Sequence, residues 1–119
     1  MNLTGMKKEK NVINTVEKIN MTLRTFTGGY VRYEGDTYMG GYNPWPIATC
    51  WMALYNLEAG NEKEAIENFK FVINSVSDNG LLGEQVNNDT MKPCWILGLT
   101  WSHAMFIIVL EELLNRNLL

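Results

Sequence analysis

The sequence predicts an all-α chain of antiparallel helical hairpins arranged in two layers. Apolar residues recur at helical spacing in four segments. Two of these segments have a charged opposite face and two are apolar nearly all round, so outer and inner helices alternate along the chain. A very short Gly60-Asn61 turn joins the middle pair, which must therefore run antiparallel.

The first helix spans residues 8–24. Val12, Val16, Ile19 and Leu23 form one stripe with Lys and Glu between them, as on a surface helix. From Thr25 to Trp45 the period breaks. Gly28, Gly29, Gly35, Gly40 and Gly41 alternate with Tyr30, Tyr33, Tyr38, Tyr42 and Trp45. Two readings fit this stretch. It is a structured loop capping the core, or the wall of a polar ligand site with Arg32, Glu34 and Asp36 set among the rings.

Helix two runs from Pro46, suited to a first helical turn, to about Ala59. Ile47, Cys50, Trp51, Leu54 and Leu57 form its apolar face, widened by Ala48 and Ala53, and Trp51 reads as core. Gly60 ends the helix. Asn61 opens helix three as N-cap, and Glu64 completes a capping box. Helix three extends from Glu62 to about Val76. Ala65, Ile66, Phe69, Val72, Ile73 and Val76 point inward, while Glu62, Lys63, Glu67, Asn68 and Lys70 face water.

Residues 77–99 read as a second long loop, opened by the Asp78-Asn79-Gly80 turn signal. Such length is unusual in a compact helical chain and draws attention to Glu84. Helix four starts near Thr100 as N-cap. Its Met105–Leu110 run is apolar all round, so it is expected to be buried like helix two. Residues 115–119 are a tail.

Composition limits the function. One small domain, residues 1–119, is all that this length supports. With net charge −3 and scattered Lys and Arg, there is no basic face for nucleic acid. No apolar run is long enough to span a membrane. Residues 1–10 lack the apolar stretch of a signal peptide, so the cytoplasm is the expected location. The Asn-x-Ser/Thr sequons at Asn2, Asn20 and Asn88 then count as chance. Cys50 and Cys94 read as buried free thiols. With a single His, at position 103, no zinc cluster is expected, and no cofactor motif appears.

The tight turn between helices two and three marks one end of the layer. Both long loops must lie at the other end, each before the N-terminus of an inner helix. Arg32, Asp36 and Trp45 should therefore share a face with Glu84, where helix N-termini add positive potential. Hairpins in two layers fit an α/α toroid. They also fit a tetratricopeptide-like adaptor, although no 34-residue repeat is present.

Four words in order sharpen this reading. They are Val31-Arg32-Tyr33-Glu34-Gly35-Asp36-Thr37-Tyr38, Asn43-Pro44-Trp45, Gly83-Glu84-Gln85 and Leu99-Thr100-Trp101-Ser102-His103-Ala104. Together they resemble the glucoamylase family, family 15 of the glycoside hydrolases. The resemblance covers about residues 28–110. It implies the last third of an (α/α)6 barrel of six hairpins, acting on starch-type oligosaccharides, dextran-type linkages or trehalose.

Such enzymes invert anomeric configuration with two carboxylic groups. By resemblance, Glu84 is the general base that activates water. Arg32 hydrogen-bonds sugar hydroxyls, Trp45 lines the sugar site, and Tyr38 matches an aromatic near the same subsites. Asp36 and Trp101 support the site. Gln85 either orients the water or Glu84, or is purely structural. His103 reads as packing. No cofactor or metal is implied.

One departure matters. The family's general acid comes from an earlier segment, and Glu34 and Asp36 lie in the wrong word to replace it. The chain is therefore expected to carry the base without the acid and to be inactive alone. Its exposed helix faces should meet the remainder of a barrel or a second copy. The alternative is a non-catalytic helical fragment that binds sugar or a partner.

Overall fold

A computed structural model of the chain describes residues 9–119. Lys8, the Asn2 sequon and most of the stretch read for a signal peptide lie outside the described residues. The elements in order are α1 (Lys10–Thr22), α2 (Pro46–Ala59), α3 (Glu62–Asn74), β1 (Gly83–Val86), β2 (Pro93–Leu97) and α4 (Thr100–Asn115). No helix among the described residues is long and apolar enough to cross a membrane.

The α2–α3 hairpin is the centre of the fold. Gly60 closes α2 at φ 84°, a left-handed value that glycine adopts without a Cβ clash. Cys50, Ala53 and Leu57 of α2 pack with Ala65, Phe69 and Val72 of α3 and with Val109 and Leu113 of α4. The rings of Phe69 and Phe106 stack at 5.0 Å. A second cluster joins Val16, Ile19 and Leu23 of the α1 stripe to Tyr30, Trp45, Ile47 and Met52. As expected, α1 is an outer helix; none of its residues is fully buried.

Several expectations need correction. The stretch 77–99 is not all loop, because Gly83–Val86 and Pro93–Leu97 pair as an antiparallel hairpin. Its turn is built by Asn87, whose side-chain oxygen accepts from the backbone N–H groups of Asp89 and Thr90. Glu84 therefore stands on a strand. The expected capping box is absent. Asn61 occupies the N-cap position without a side-chain cap bond, and Glu64 is drawn instead to Arg24 at 3.1 Å. Helix α4 begins at Thr100, one residue after its N-cap Leu99.

Burial also departs from expectation on α2, α3 and α4. Trp51 is 56% exposed rather than core. Asn68, expected in water, is buried and accepts a hydrogen bond from Asn56 Nδ2 at 3.0 Å, whereas Ile73 is exposed. Helix α4 buries only Ser102, Val109 and Leu113 fully and leaves Trp101, Ile107 and Leu114 exposed. An apolar surround marks a helix built for neighbours on every side, and one side of α4 meets none among the described residues. Cys50 is buried as expected, but Cys94 is only partly so. Within the tail, Arg116 is anchored to α2. Arg116 reaches Glu58 at 2.7 Å and donates to the Leu57 carbonyl.

The first long loop is held against the hairpin. Gly29 sits so close to Phe71 and Pro44 that an added Cβ would collide with the Phe71 ring. Val86 N–H donates to the Pro44 carbonyl, and Asn88 N–H donates to Asn43 Oδ1. These bonds bring the two long segments to one face.

Candidate active site

Glu84 lies in the middle of β1 with its neighbours fixed on both sides. Ser102 Oγ donates to the Gly83 carbonyl, which ties the strand to the first turn of α4. Gln85 donates to the Tyr38 carbonyl and accepts from Asn43 Nδ2 at 3.2 Å, so it links the hairpin to the first long loop. Glu84 itself is 8% exposed, and its Oε2 is buried without a hydrogen-bond partner. Buried polar atoms are normally paired, so an orphaned carboxylate oxygen marks a candidate site.

The Glu84 charge reaches two neighbours. The Arg32 guanidinium is held above its ordinary range chiefly by its hydrogen bond to Asp36, with the Glu84 charge among the lesser causes. The Cys94 thiol is pushed up by burial and then by Glu84. The carboxylate thus acts electrostatically on both the first loop and β2.

Cys94 is therefore a reporter for Glu84. Removing the charge in Glu84→Gln should lower the Cys94 pKa and speed its alkylation by iodoacetamide at pH 8, followed by mass spectrometry. Cys50, pushed up to about 12 by burial, should stay unmodified in the native chain of either variant. An unchanged Cys94 rate would contradict this placement of the Glu84 charge.

Arg32 is gripped from below and from the side. Its Nε and Nη2 donate to the two Asp36 oxygens at 2.8 and 2.9 Å. This pair, joined by a bond from Tyr38 N–H, holds the buried Asp36 carboxyl below its usual range. The guanidinium carbon lies 4.1 Å from the Trp45 ring centroid and 4.9 Å from that of Tyr38. Trp45 also meets Tyr38 at 6.1 Å and Trp101, edge-on, at 6.3 Å.

Arg32, Asp36, Tyr38, Trp45, Glu84, Gln85 and Trp101 therefore form one connected group at one end of the fold. The sequence reading has Trp45 line the sugar site; in the structure it is 2% exposed, with Arg32, Tyr38 and Trp101 against its ring. The open aromatic faces belong to Tyr38 and Trp101. His103 does more than pack. Its Nε2 accepts from Leu82 N–H, which assigns the ring proton to Nδ1 and lets it donate to the Leu99 carbonyl.

Sequence reasoning assigned no role to Asn43 or Ser102. Asn43 lies within the quoted Asn-Pro-Trp word, so position alone could have singled it out. Among the described residues no three His, Cys, Asp or Glu side chains gather to hold a metal.

No family model matches the chain. It is 34% identical over 116 aligned positions to an uncharacterised glycosyl hydrolase of Methanocaldococcus jannaschii, covering 87% of this chain and 19% of that protein. It is 35% identical over 81 positions to trehalase 2 of Sulfolobus acidocaldarius, covering 67% of this chain and 14% of that protein. Among solved structures it matches a bacterial glucoamylase complexed with acarbose, at TM-score 0.70 and 25% identity, over 87% of this chain and 17% of that one.

The chain is a homologue of the glucoamylase-like glycoside hydrolases. It spans about a fifth of the length of these relatives or less. Its helical hairpins are those of a partial (α/α)6 toroid.

Proposed function

We propose that this glucoamylase-like segment supplies the general-base half of an inverting α-glycosidase site, with Glu84 activating the attacking water. The observation that carries the reading is the orphaned, buried Glu84 Oε2, on a carboxylate whose charge acts on the Arg32 guanidinium and whose strand is tied through Gln85 to the loop of exposed Tyr38. A base needs a free acceptor, and a sugar needs planar donors and flat apolar surfaces. Arg32 spends Nε and Nη2 on Asp36, which leaves Nη1 to meet hydroxyls. Trp45 supports Arg32 from beneath, and Tyr38 and Trp101 line the opening.

Asp36 is unsuited to serve as the acid, because Arg32 stabilises its ionised form. In this reading the proton donor is a second carboxyl from the rest of the toroid, on the opposite face of the sugar. The substrate is an α-glucosidic carbohydrate. The partner is the remainder of the barrel or, in its place, a second copy, seated on exposed Trp51, Ile107 and Leu114. Sedimentation of the chain at micromolar concentration should then give a mass above 13.6 kDa. Ile107→Glu with Leu114→Glu should restore the monomer. A monomeric unaltered chain would contradict the association.

The function is tested by transplanting residues 23–119 into the bacterial glucoamylase in place of its matching segment. The hybrid should hydrolyse maltotriose. A folded hybrid that binds acarbose without hydrolysing maltotriose would instead favour a sugar-binding fragment without catalytic groups.

A further inference from the structure

The hairpin that carries Glu84 is irregular at one place. Gly83 pairs with Leu97 and Gln85 with Cys94, so two residues, Trp95 and Ile96, oppose Glu84 alone. That is a β-bulge, with the extra residue opposite Glu84. Trp95 takes φ 64°, a left-handed value that such bulges usually give to glycine. A bulky aromatic is a poor choice for that backbone position. Glycine would form the same turn without the Cβ conflict, so hairpin geometry alone does not account for the ring.

The surroundings of the ring supply a reason. Trp95 is 46% exposed, so one part of its surface stays open. Another part lies against Gly40, where an added Cβ would come within 3.3 Å of Trp95 Cζ2. Gly40 belongs to the loop that carries Asp36 and Tyr38, and Gln85 already ties that loop to β1. The adjacent Cys94 thiol feels the Glu84 charge. Trp95 therefore stands at the rim of the Glu84 group, on the hairpin side. Strained residues collect at ligand sites, where the surrounding structure holds them in place.

We propose that Trp95 is a substrate-binding residue, offering an apolar platform to the sugar unit next to the one that Glu84 serves. The inference rests on the sugar-site reading of Glu84 and extends it. It assigns the site to a chain of at least two α-linked sugars, because a second flat surface has no use for a single ring. The apolar C–H face of a pyranose stacks on an indole without fixed hydrogen bonds, so Phe at this position should serve nearly as well.

The test uses the whole chain with maltotriose as probe, read by saturation-transfer NMR, together with thermal melting. Trp95→Gly should weaken maltotriose binding about tenfold, with an unchanged or raised melting temperature because the backbone strain is relieved. Trp95→Phe should keep most of the affinity. Unchanged affinity in Trp95→Gly overturns the proposal, and so does a lowered melting temperature, which would make the ring a packing element. If the unaltered chain fails to bind maltotriose, the sugar-site reading fails first and this inference falls with it.

Discussion

Glu84→Gln should lower kcat for maltotriose hydrolysis by roughly 10²–10⁴-fold in the transplanted barrel, the usual contribution of a positioned acid or base. The substitution is nearly isosteric and removes the carboxylate charge together with the ability to take a proton. Oε2 has no hydrogen-bond partner to lose, so the hairpin should keep its register. Arg32, Tyr38 and Trp101 are untouched, so KM should change far less than kcat. Acarbose should still bind. A loss below tenfold would mean that another group activates the water.

The second large effect concerns stability. Arg32→Ala strips a buried carboxylate of both its guanidinium bonds. Breaking a fully buried pair costs about 3–5 kcal/mol. The Arg32 side chain is 34% exposed, so solvent screening reduces the expected loss to about 2 kcal/mol. The pH dependence follows from the depressed Asp36 pKa. Stability from this pair is fully present above the ordinary carboxylate value of 3.8 and is lost as pH falls through the lower folded value. The gap between the two proteins in urea unfolding should therefore be widest near neutral pH and narrow below pH 3.8. A gap independent of pH would contradict the pairing.

The helices were legible because their signals are local. Pro46, Gly60 and the apolar period fix α2 and α3 to within a residue or two of the expected ends. The hairpin was missed because Cys94, Trp95 and Ile96 were read as part of a loop before a helix, although Asn87-Asn88-Asp89-Thr90 carries a turn signal. Trp51 and α4 were misjudged for a different reason. Apolar periodicity reports what a helix is made to face, and among the described residues those faces meet no partner helix.

The candidate site was legible as a set of words and as a shared face. The two loops do meet, with Gln85 and Asn43 as the stitches. What spacing could not show is depth. Nothing in Asn-Pro-Trp says that Trp45 lies under Arg32, or that Trp95 holds the strained place opposite Glu84. Such facts depend on how separate segments stack, and no local period encodes them.

The most direct measurement is an amide chemical-shift map of the labelled chain titrated with acarbose. The expected result is a set of shifts centred on Gly83–Val86, Arg32, Tyr38 and Trp101. No shifts, or shifts confined to the cleft of Asn20, Asn56, Asn61 and Glu64 between α1 and the α2–α3 hairpin, would contradict a sugar site at Glu84.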